Sequence, residues 1–320
     1  MLFRTLIMVA VVLAAPFAQA QSWPTKPIRI IVPFPPGGTT DQIARHVQPH
    51  LERSLGVSIV IDNRGGASGV IGTNLAAKAQ PDGYTWLLVF DTHGVNSALV
   101  PDIPYDTVKD FSPVMLIGKS PMVITVHPST SYKKFADVLA AARGQAGGVS
   151  FGTIGAGSLA HLAMTLISKG LKVPLTHVPY KGGGPLIIDA VAGHVPVAIA
   201  SAALLGPYIK DGRLRAIAVT SPTRFPQLPN VPTISEQGLP RFDAESWWGL
   251  LAPAKTPALI LARMHDEMAK ALRQPVVQER LEPQGLVFYI SSPEALGNLI
   301  VSEIARWAKV VKENKITAGE

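Results

Sequence analysis

Short apolar runs that end in glycine-rich turns alternate with helical patterns along most of this 320-residue chain. The run KPIRIIVPF predicts a buried strand, and the following TDQIARHVQPHLERSLG predicts a helix that ends at Gly56. The same order recurs later, where GVSFGTI precedes GSLAHLAMTLISKG and PLTHVPY precedes GGGPLIIDAVAG. Continuous apolar strands separated by helices are typical of parallel sheets covered on both faces. The sequence therefore predicts an α/β fold.

Two changes of composition predict how the chain divides. The first is PVMLIGKSPMVITV, two apolar runs followed by a Pro/Ser/Thr turn, and the second is the proline-rich TSPTRFPQLPNVPTISEQGLP. We interpret both as crossovers between two doubly wound α/β domains. Domain 1 is then discontinuous, residues 21–125 plus 245–320, and domain 2 spans residues 126–244. Two lobes joined by two crossing segments enclose a cleft, which typically closes over a ligand.

The first 20 residues have the pattern of a secretory signal peptide. Arg4 precedes an apolar run from Leu6 to Ala15, and the small-residue sequence Ala18-Gln19-Ala20 follows. The run is shorter than the roughly 20 residues that a membrane-spanning helix needs. We therefore expect cleavage after Ala20. The chain has no cysteine for a disulfide framework or a lipid thioether, so we expect a soluble protein exported to the periplasm.

The charge of the chain argues against a nucleic-acid partner. The formal net charge is +7, but the lysines and arginines form no dense block with interleaved aromatic residues. The net positive charge indicates only an electrostatic potential that mildly favours anionic solutes.

Four predicted strand-to-helix junctions carry the chemistry. They are PPGGTTD (35–41), RGGASGVIG (64–72), GTIGAGSLAH (152–161) and YKGGGP (180–185). A helix start presents unpaired N–H groups and a partial positive charge, so it stabilises an anion without a cationic side chain. One such loop is more often an ordinary turn. The presence of two such loops in each predicted lobe favours ligand binding.

Asp41 has two interpretations: it is either a first-turn acid that stabilises the helix or a group that orders water beside a ligand.

Motifs for catalysis are missing. Ser158 is flanked two residues away by Ala156 and Ala160, and Ser68 by Gly66 and Val70, so neither forms a G-x-S-x-G elbow; no G-x-x-x-x-G-K-[ST] occurs either. GAGSLA fits a permissive dinucleotide pattern, but no acid follows at about 20 residues. None of the eight histidines has metal-ligand spacing. We therefore predict no catalytic residue, no metal and no cofactor, and His161 is more easily explained as a helix-packing residue than as a base.

These motifs in order resemble one family, the periplasmic substrate-binding proteins of tripartite tricarboxylate transporters, the TctC or Bug type. The resemblance covers nearly the whole mature chain. It rests on WPTKPIRIIVPFPPGGTTD, IVIDNRGGASGVIGT, PDGYT, HGVN, PYDTVKDFSPV, FGTIGAGSLAHL, VPYKGGGP, IKDGRLRAIAVTS, PNVPTISEQG and WWGLLAPAKTP. It implies a two-lobed type II periplasmic-binding-protein fold that captures a small carboxylate and delivers it to membrane permease subunits.

The resemblance also implies the ligand-binding residues, with carboxylates held mainly by main-chain amides and ordered water. In the first lobe they are Phe34, Gly37, Gly38, Thr39, Thr40, Asp41, Ala67 and Ser68. In the second lobe they are Gly155, Ala156, Gly157, Ser158, His161, Tyr180, Lys181 and Gly182. Thr92, His93 and Asn96 follow the strand LLVFD in what we expect to be a loop, where they either contact the ligand or shape the turn.

The chain departs from the family pattern at several positions. Ser97 stands where proline is usual after the HxxN asparagine, and AGHVPVAIAS has Pro196 and Ala200 where relatives often have an acid and a polar residue. Ser201 completes that strand end, which faces the variable part of the ligand in relatives. An apolar or aromatic mono- or dicarboxylate is therefore more expected than one with an amino group.

We expect the protein to be a monomer that serves a transporter. An alternative is a carboxylate sensor whose partner is a membrane sensor kinase. The alternative from another functional class is an exported α/β hydrolase.

Overall fold

The computed structural model describes residues 23–100 and 102–317. The predicted signal peptide lies outside the described residues. The strands are β1 Ile28–Val32, β2 Ile59–Asn63, β3 Thr85–Phe90, β4 Phe111–Val126, β5 Val149–Thr153, β6 Leu175–Pro179, β7 Val197–Ser201, β8 Arg215–Val219, β9 Glu245–Pro253 and β10 Val287–Phe288. The helices are α1 Thr39–Leu55, α2 Val70–Ala77, α3 Thr92–Leu99, α4 Phe135–Gly144, α5 Leu159–Leu171, α6 Gly183–Ala192, α7 Ala202–Lys210, α8 Ala258–Leu272, α9 Pro275–Leu281 and α10 Pro293–Asn314. Short 3₁₀ helices cover Ala67–Gly69, Ser235–Gln237 and Glu282–Gln284.

The protein has the two-lobed α/β fold expected from the sequence. In the first lobe, β1 pairs in parallel with β2 and β3. In the second lobe, β5 pairs in parallel with β6 and β7. Helices follow the strands, as the alternating pattern predicts.

Strand β4 connects the lobes, and both β4 and β9 run antiparallel to neighbouring strands. Residues Phe111 to Pro121 of β4 pair with β9, and Met122 to Val126 pair with β7 and β8 in the second lobe. Both strands are antiparallel to β3 or β7, so the sheets are mixed and the expectation of purely parallel sheets is wrong. The change of sheet within β4 makes this strand one of the two crossovers. The residue ranges assigned to the two domains stay a prediction.

Each lobe has its own apolar core. In the first, α1 and α8 cover β1 and β3, with Trp86 and Trp248 fully buried. In the second, α5 packs on β5 and β7 around Phe151. The last helix, α10, lies against both lobes, since its Trp307 joins the second core while Leu296 joins a first-lobe cluster. It therefore couples the two units.

Several local predictions need adjustment. The segment ASGVIGTNLAAKA begins with a 3₁₀ turn, and its α-helix starts only at Val70, because Gly66 to Gly69 have positive φ. Residues 92–99, expected as a loop, form α3. The two apolar runs of the first crossover form one 16-residue strand. Gly56 ends α1 in the left-handed conformation, as expected for a C-terminal glycine.

No helix in the described part of the chain is long and apolar enough to cross a membrane.

Candidate functional site

The glycine loops lie at the carboxyl ends of the parallel strands. PPGGTTD follows β1, RGGASG follows β2, GTIGAGS follows β5 and YKGGG follows β6. Parallel strands bring their ends to one edge of a sheet, which is where open α/β sheets bind ligands. The fold therefore places the predicted loops together within each lobe.

In the first lobe, Asp41 shapes the loop before α1. Its Oδ2 accepts hydrogen bonds from the Gly37 N–H at 2.9 Å and from Arg45 Nε at 2.9 Å. Burial of this carboxyl, which is 3% exposed, raises its pKa, but the hydrogen bonds from Arg45 and Gly37 outweigh burial and hold the pKa below its usual value. The carboxylate is therefore ionised at neutral pH. Gly38, the N-cap, has an ordinary extended φ of −75°.

An aromatic group lies behind this loop. Phe34 meets Phe90 edge to face at 5.2 Å between ring centroids, and Phe90 stacks on Trp248 at 6.0 Å. Trp248 donates from Nε1 to Thr40 Oγ1 at 3.2 Å, so it also fixes the first turn of α1. Sequence analysis missed Phe90 and Trp248 because apolar runs do not show which ring reaches a loop.

The second loop of this lobe has a strained backbone. Ala67 and Ser68 have φ of 46° and 54°, values that side-chain-bearing residues seldom adopt. The buried Asn96 on α3 donates from Nδ2 to the Ser68 carbonyl at 2.9 Å. Asn96 thus holds the loop in place from behind.

Helix α3 brings the predicted residues Thr92, His93 and Asn96 to the same place. All three are buried, and with Phe34 and Ser68 they line a small pocket. His93 lies edge to face with Phe111 at 5.4 Å. Burial lowers the pKa of His93 to about 4, so its imidazole is neutral at pH 7.

In the second lobe, the loop before α5 holds itself in shape. Ser158 is the N-cap; its Oγ donates to the Gly155 carbonyl at 2.7 Å and accepts the His161 N–H at 3.4 Å. His161 Nδ1 accepts the Gly157 N–H at 3.1 Å. The Ser158 hydroxyl and the Gly157 amide therefore have partners within residues 155–161, and Ala156 lies between Gly155 and Gly157 in the sequence.

His177, which sequence analysis did not select, lies beside this loop on β6. Its ring stacks on that of His161, with centroids 3.9 Å apart and planes at 11°. Its Nε2 lies 2.7 Å from Thr153 Oγ1. The strand pattern PLTHVPY contains no signal for this contact, which depends on β6 lying next to β5.

The remaining predicted residues lie at the starts of α6 and α7. Tyr180 donates its hydroxyl to Asp189 Oδ2 at 2.9 Å, so this group points toward α6. Lys181 is exposed, and Gly182 precedes α6 with φ of 104°. Ser201 is buried at the end of β7, where it is the N-cap of α7.

The two lobes approach each other at these loops. A Cβ on Gly157 would lie 2.6 Å from Leu99 Cδ1, which belongs to α3 of the first lobe. Ile154 of the second-lobe loop packs against the first-lobe core. The loop before α5 therefore lies against the first lobe.

Among the described residues, no group of three histidine or acidic side chains could hold a metal ion. A larger groove, lined by Arg273, Glu282 and Tyr289 among others, contains none of the glycine loops. We therefore place the site at the lobe junction.

Comparison with known proteins decides the family. Residues 43–316 match the profile described as "Tripartite tricarboxylate transporter family receptor". The chain belongs to this family. It is a periplasmic solute-binding receptor of the TctC or Bug type, as the ordered motifs predicted.

Individual relatives agree over nearly the whole length. The protein BugT of Bordetella pertussis is 37% identical over 94% of this chain and 93% of its own. The structure of R. palustris Rpa4515 with adipate has a TM-score of 0.86 and 34% identity, covering 92% of this chain and 99% of the other. MatC from Rhodopseudomonas palustris with bound malate has a TM-score of 0.82 and 32% identity, covering 90% and 100%.

Proposed function

We propose that this receptor binds a small mono- or dicarboxylate at the lobe junction and delivers it to the membrane permease subunits of a tripartite tricarboxylate-type transporter, without catalysis or a cofactor. The observation that carries this proposal is the placement of two helix starts, α1 and α5, at the carboxyl ends of strands in opposite lobes. The first N–H groups of a helix have no partner within that helix, and the helix dipole favours an anion there. Backbone groups of both lobes can thus hold one carboxylate ligand.

Two similar structures and the residues near the proposed site support the ligand class. Adipate and malate are bound in the two similar structures. Phe34 and the aromatic rings behind it present an apolar surface beside the α1 loop. Ala200 is buried one residue before the end of β7 and offers no side-chain hydrogen bond. We propose a carboxylate with an apolar or aromatic body and no amino group.

Asp41 supports anion binding indirectly. Its negative charge is compensated by Arg45, and its Oδ2 orients the Gly37 amide. Its second oxygen, Oδ1, is buried and accepts no hydrogen bond from the described residues. We propose that this oxygen orders a water beside the ligand, because a buried polar atom without a partner is costly.

A thermal-shift screen tests the ligand class. The protein is refolded from denaturant to remove any bound solute and screened with aliphatic and aromatic carboxylates, amino acids and sugars. A ligand at 100 times its Kd stabilises the folded state by about 2.7 kcal/mol. We expect the largest shift from a carboxylate. A largest shift from a sugar or an amino acid would overturn the proposal.

A glycine variant tests the backbone mechanism. A Cβ on Gly38 meets no atom within 4 Å, and the φ of Gly38 suits any residue. Gly38→Val should therefore fold normally but fill the space above the α1 start, so that carboxylate binding is lost. Gly144→Val is the matched control, because Gly144 also has open space and lies on α4. Unchanged affinity in Gly38→Val would contradict capture at this helix start.

A further inference from the structure

Two histidines form a stacked pair directly beneath the second-lobe loop. His161 lies in the first turn of α5, and His177 lies in the middle of β6. Their ring centroids are 3.9 Å apart, and His177 also stacks on Phe151 of β5 at 5.1 Å. Both rings are partly buried. Two imidazoles at this separation form one titrating unit, because a charge on one opposes a charge on the other.

Each ring is connected to a different amide of the loop. The Gly157 N–H donates to His161 Nδ1 at 3.1 Å. His177 Nε2 lies 2.7 Å from Thr153 Oγ1, and this hydroxyl oxygen also accepts the Gly155 N–H at 3.2 Å. The protonation of the pair is therefore coupled to two backbone amides of the loop at which we propose that the carboxylate binds.

Both rings are neutral at pH 7. Burial lowers the pKa of His161, and burial together with the charge of His161 lowers the pKa of His177 to about 4. Among the described residues no other charge shifts either ring. Of the titratable side chains on β6, α6 and the loop between them, Tyr180 and Asp189 are hydrogen-bonded to each other, and Lys181 is exposed. No acidic group thus stabilises an imidazolium here.

A bound carboxylate changes this balance. An anion at the start of α5 lies beside His161, so it favours the charged imidazole and raises the pKa of the pair. A proton taken from solvent onto His161 Nδ1 removes the lone pair that holds the Gly157 N–H. Both the new Nδ1–H and the released Gly157 N–H can then donate to the carboxylate. The repulsion between stacked rings limits the uptake to one proton.

We propose that the His161–His177 pair takes up one proton when a carboxylate binds loop 155–158, so that the receptor binds its ligand more tightly as the pH falls from 8 to 6. The inference rests on the proposed function, since it requires a carboxylate at this loop. The sign follows from linkage: a ligand that favours protonation is itself favoured by protonation to the same extent. For one proton, the affinity gain is at most tenfold per pH unit.

Isothermal titration of the full mature protein with adipate and with malate tests this inference. Titrations at pH 6.0, 7.0 and 8.0 are done in two buffers that differ in ionisation enthalpy, which gives the number of protons taken up. We expect uptake of up to one proton and a Kd that falls toward low pH. The His161→Gln variant is the matched control, because an amide oxygen can still accept the Gly157 N–H but cannot titrate.

The outcomes separate the two proposals. Whatever its affinity at pH 8.0, His161→Gln should show neither proton uptake nor the gain in affinity at pH 6.0. Protonation of adipate or malate itself is common to both proteins and cancels in this comparison. Binding without proton uptake in the unmodified protein, or equal uptake in both proteins, overturns the inference and leaves the proposed function intact. If neither compound binds at any pH and no carboxylate stabilises the protein in the screen, both proposals are wrong. If the variant does not fold, the proton uptake measured for the unmodified protein alone tests the inference.

Discussion

Asp41 and His161 occupy the same position in opposite lobes: each lies in the first turn of a helix and accepts the backbone N–H of the glycine four residues earlier. The distances are 2.9 Å from Gly37 to Asp41 Oδ2 and 3.1 Å from Gly157 to His161 Nδ1. Both glycines have positive φ, 90° and 75°. The two anion-binding loops we propose are thus built alike but differ in chemistry. A carboxylate with a lowered pKa keeps its amide at all ordinary pH values, whereas an imidazole releases its amide when protonated.

Removal of the Asp41 side chain should destabilise the protein. Asp41→Ala loses two charge-assisted hydrogen bonds at a buried site, and we expect the free energy of unfolding to fall by about 2 kcal/mol. Because the pKa of Asp41 is lowered in the folded state, its contribution is present above about pH 4 and is lost as the pH falls through the folded pKa. Urea denaturation at pH 7 and pH 3 measures both effects.

Asp137 provides a control for this prediction. It occupies the same helix position on α4, where it accepts the N–H groups of Lys133 and Lys134, but it lies outside the site. Asp137→Ala should reduce stability without changing carboxylate affinity, and Asp41→Ala should reduce both. Equal affinities of the two variants would show that Asp41 is an ordinary first-turn acid.

The two loop glycines should respond differently to alanine. Gly38→Ala places a Cβ in open space at an ordinary φ, so we expect less than about 0.5 kcal/mol of destabilisation. Gly157→Ala requires a positive φ and brings the Cβ to 2.6 Å from Leu99 Cδ1, so it should cost more than about 1 kcal/mol. Urea denaturation of both variants, and of Gly157→Ala in a Leu99→Ala background, separates the contact from the backbone strain. If the contact matters, the double variant loses less stability than the sum of the single variants.

This difference could not be read from the sequence, which predicts the same role for both glycines. The sequence specifies strands such as β1 and helices such as α1 because apolar periodicity and a terminal glycine are local signals. Helix α3 was missed because most of its residues, including Thr92, His93 and Asn96, are buried, which leaves no polar face for a periodic pattern. The directions of β4 and β9 depend on partners far away in the chain, and so does the contact between His161 and His177. The positions of the strand-to-helix loops were predictable, but the hydrogen bonds within them were not.

Acid should destabilise the protein through His93. Its pKa is about 4 in the folded state against about 6.5 when unfolded, so between these values the unfolded chain binds the extra proton and stability falls as the pH drops. From pH 7 to pH 5 we expect a loss on the order of 2 kcal/mol from this residue. His177, whose pKa is also about 4, adds to the total. Urea denaturation of His93→Gln isolates the first contribution: its pH dependence should be shallower, and identical curves for both proteins would contradict the prediction.

The strained loop at Ala67 should tolerate glycine with a gain in stability. Ala67 is exposed and has φ of 46°, a conformation that costs a side-chain-bearing residue about 1 kcal/mol or more and glycine almost nothing. Part of this gain is offset because glycine has more freedom in the unfolded chain, so we expect Ala67→Gly to raise the free energy of unfolding by about 0.5 kcal/mol. Ala77→Gly, at the last residue of α2, is the matched control and should lower the free energy of unfolding by less than about 1 kcal/mol.

The carboxylate affinity of Ala67→Gly tests whether the left-handed backbone at Ala67 and Ser68 contributes to ligand binding. If the left-handed turn at Ala67 and Ser68 orients the loop for the ligand, a more flexible glycine must be ordered on binding, and the affinity of Ala67→Gly falls although its stability rises. Asn96, which bonds the Ser68 carbonyl, still restrains the neighbouring residue, so the loss should be a few-fold and not complete. Calorimetric titration beside urea denaturation gives both numbers for one protein. A variant that is more stable and binds equally well would show that the left-handed turn serves only to connect β2 to α2.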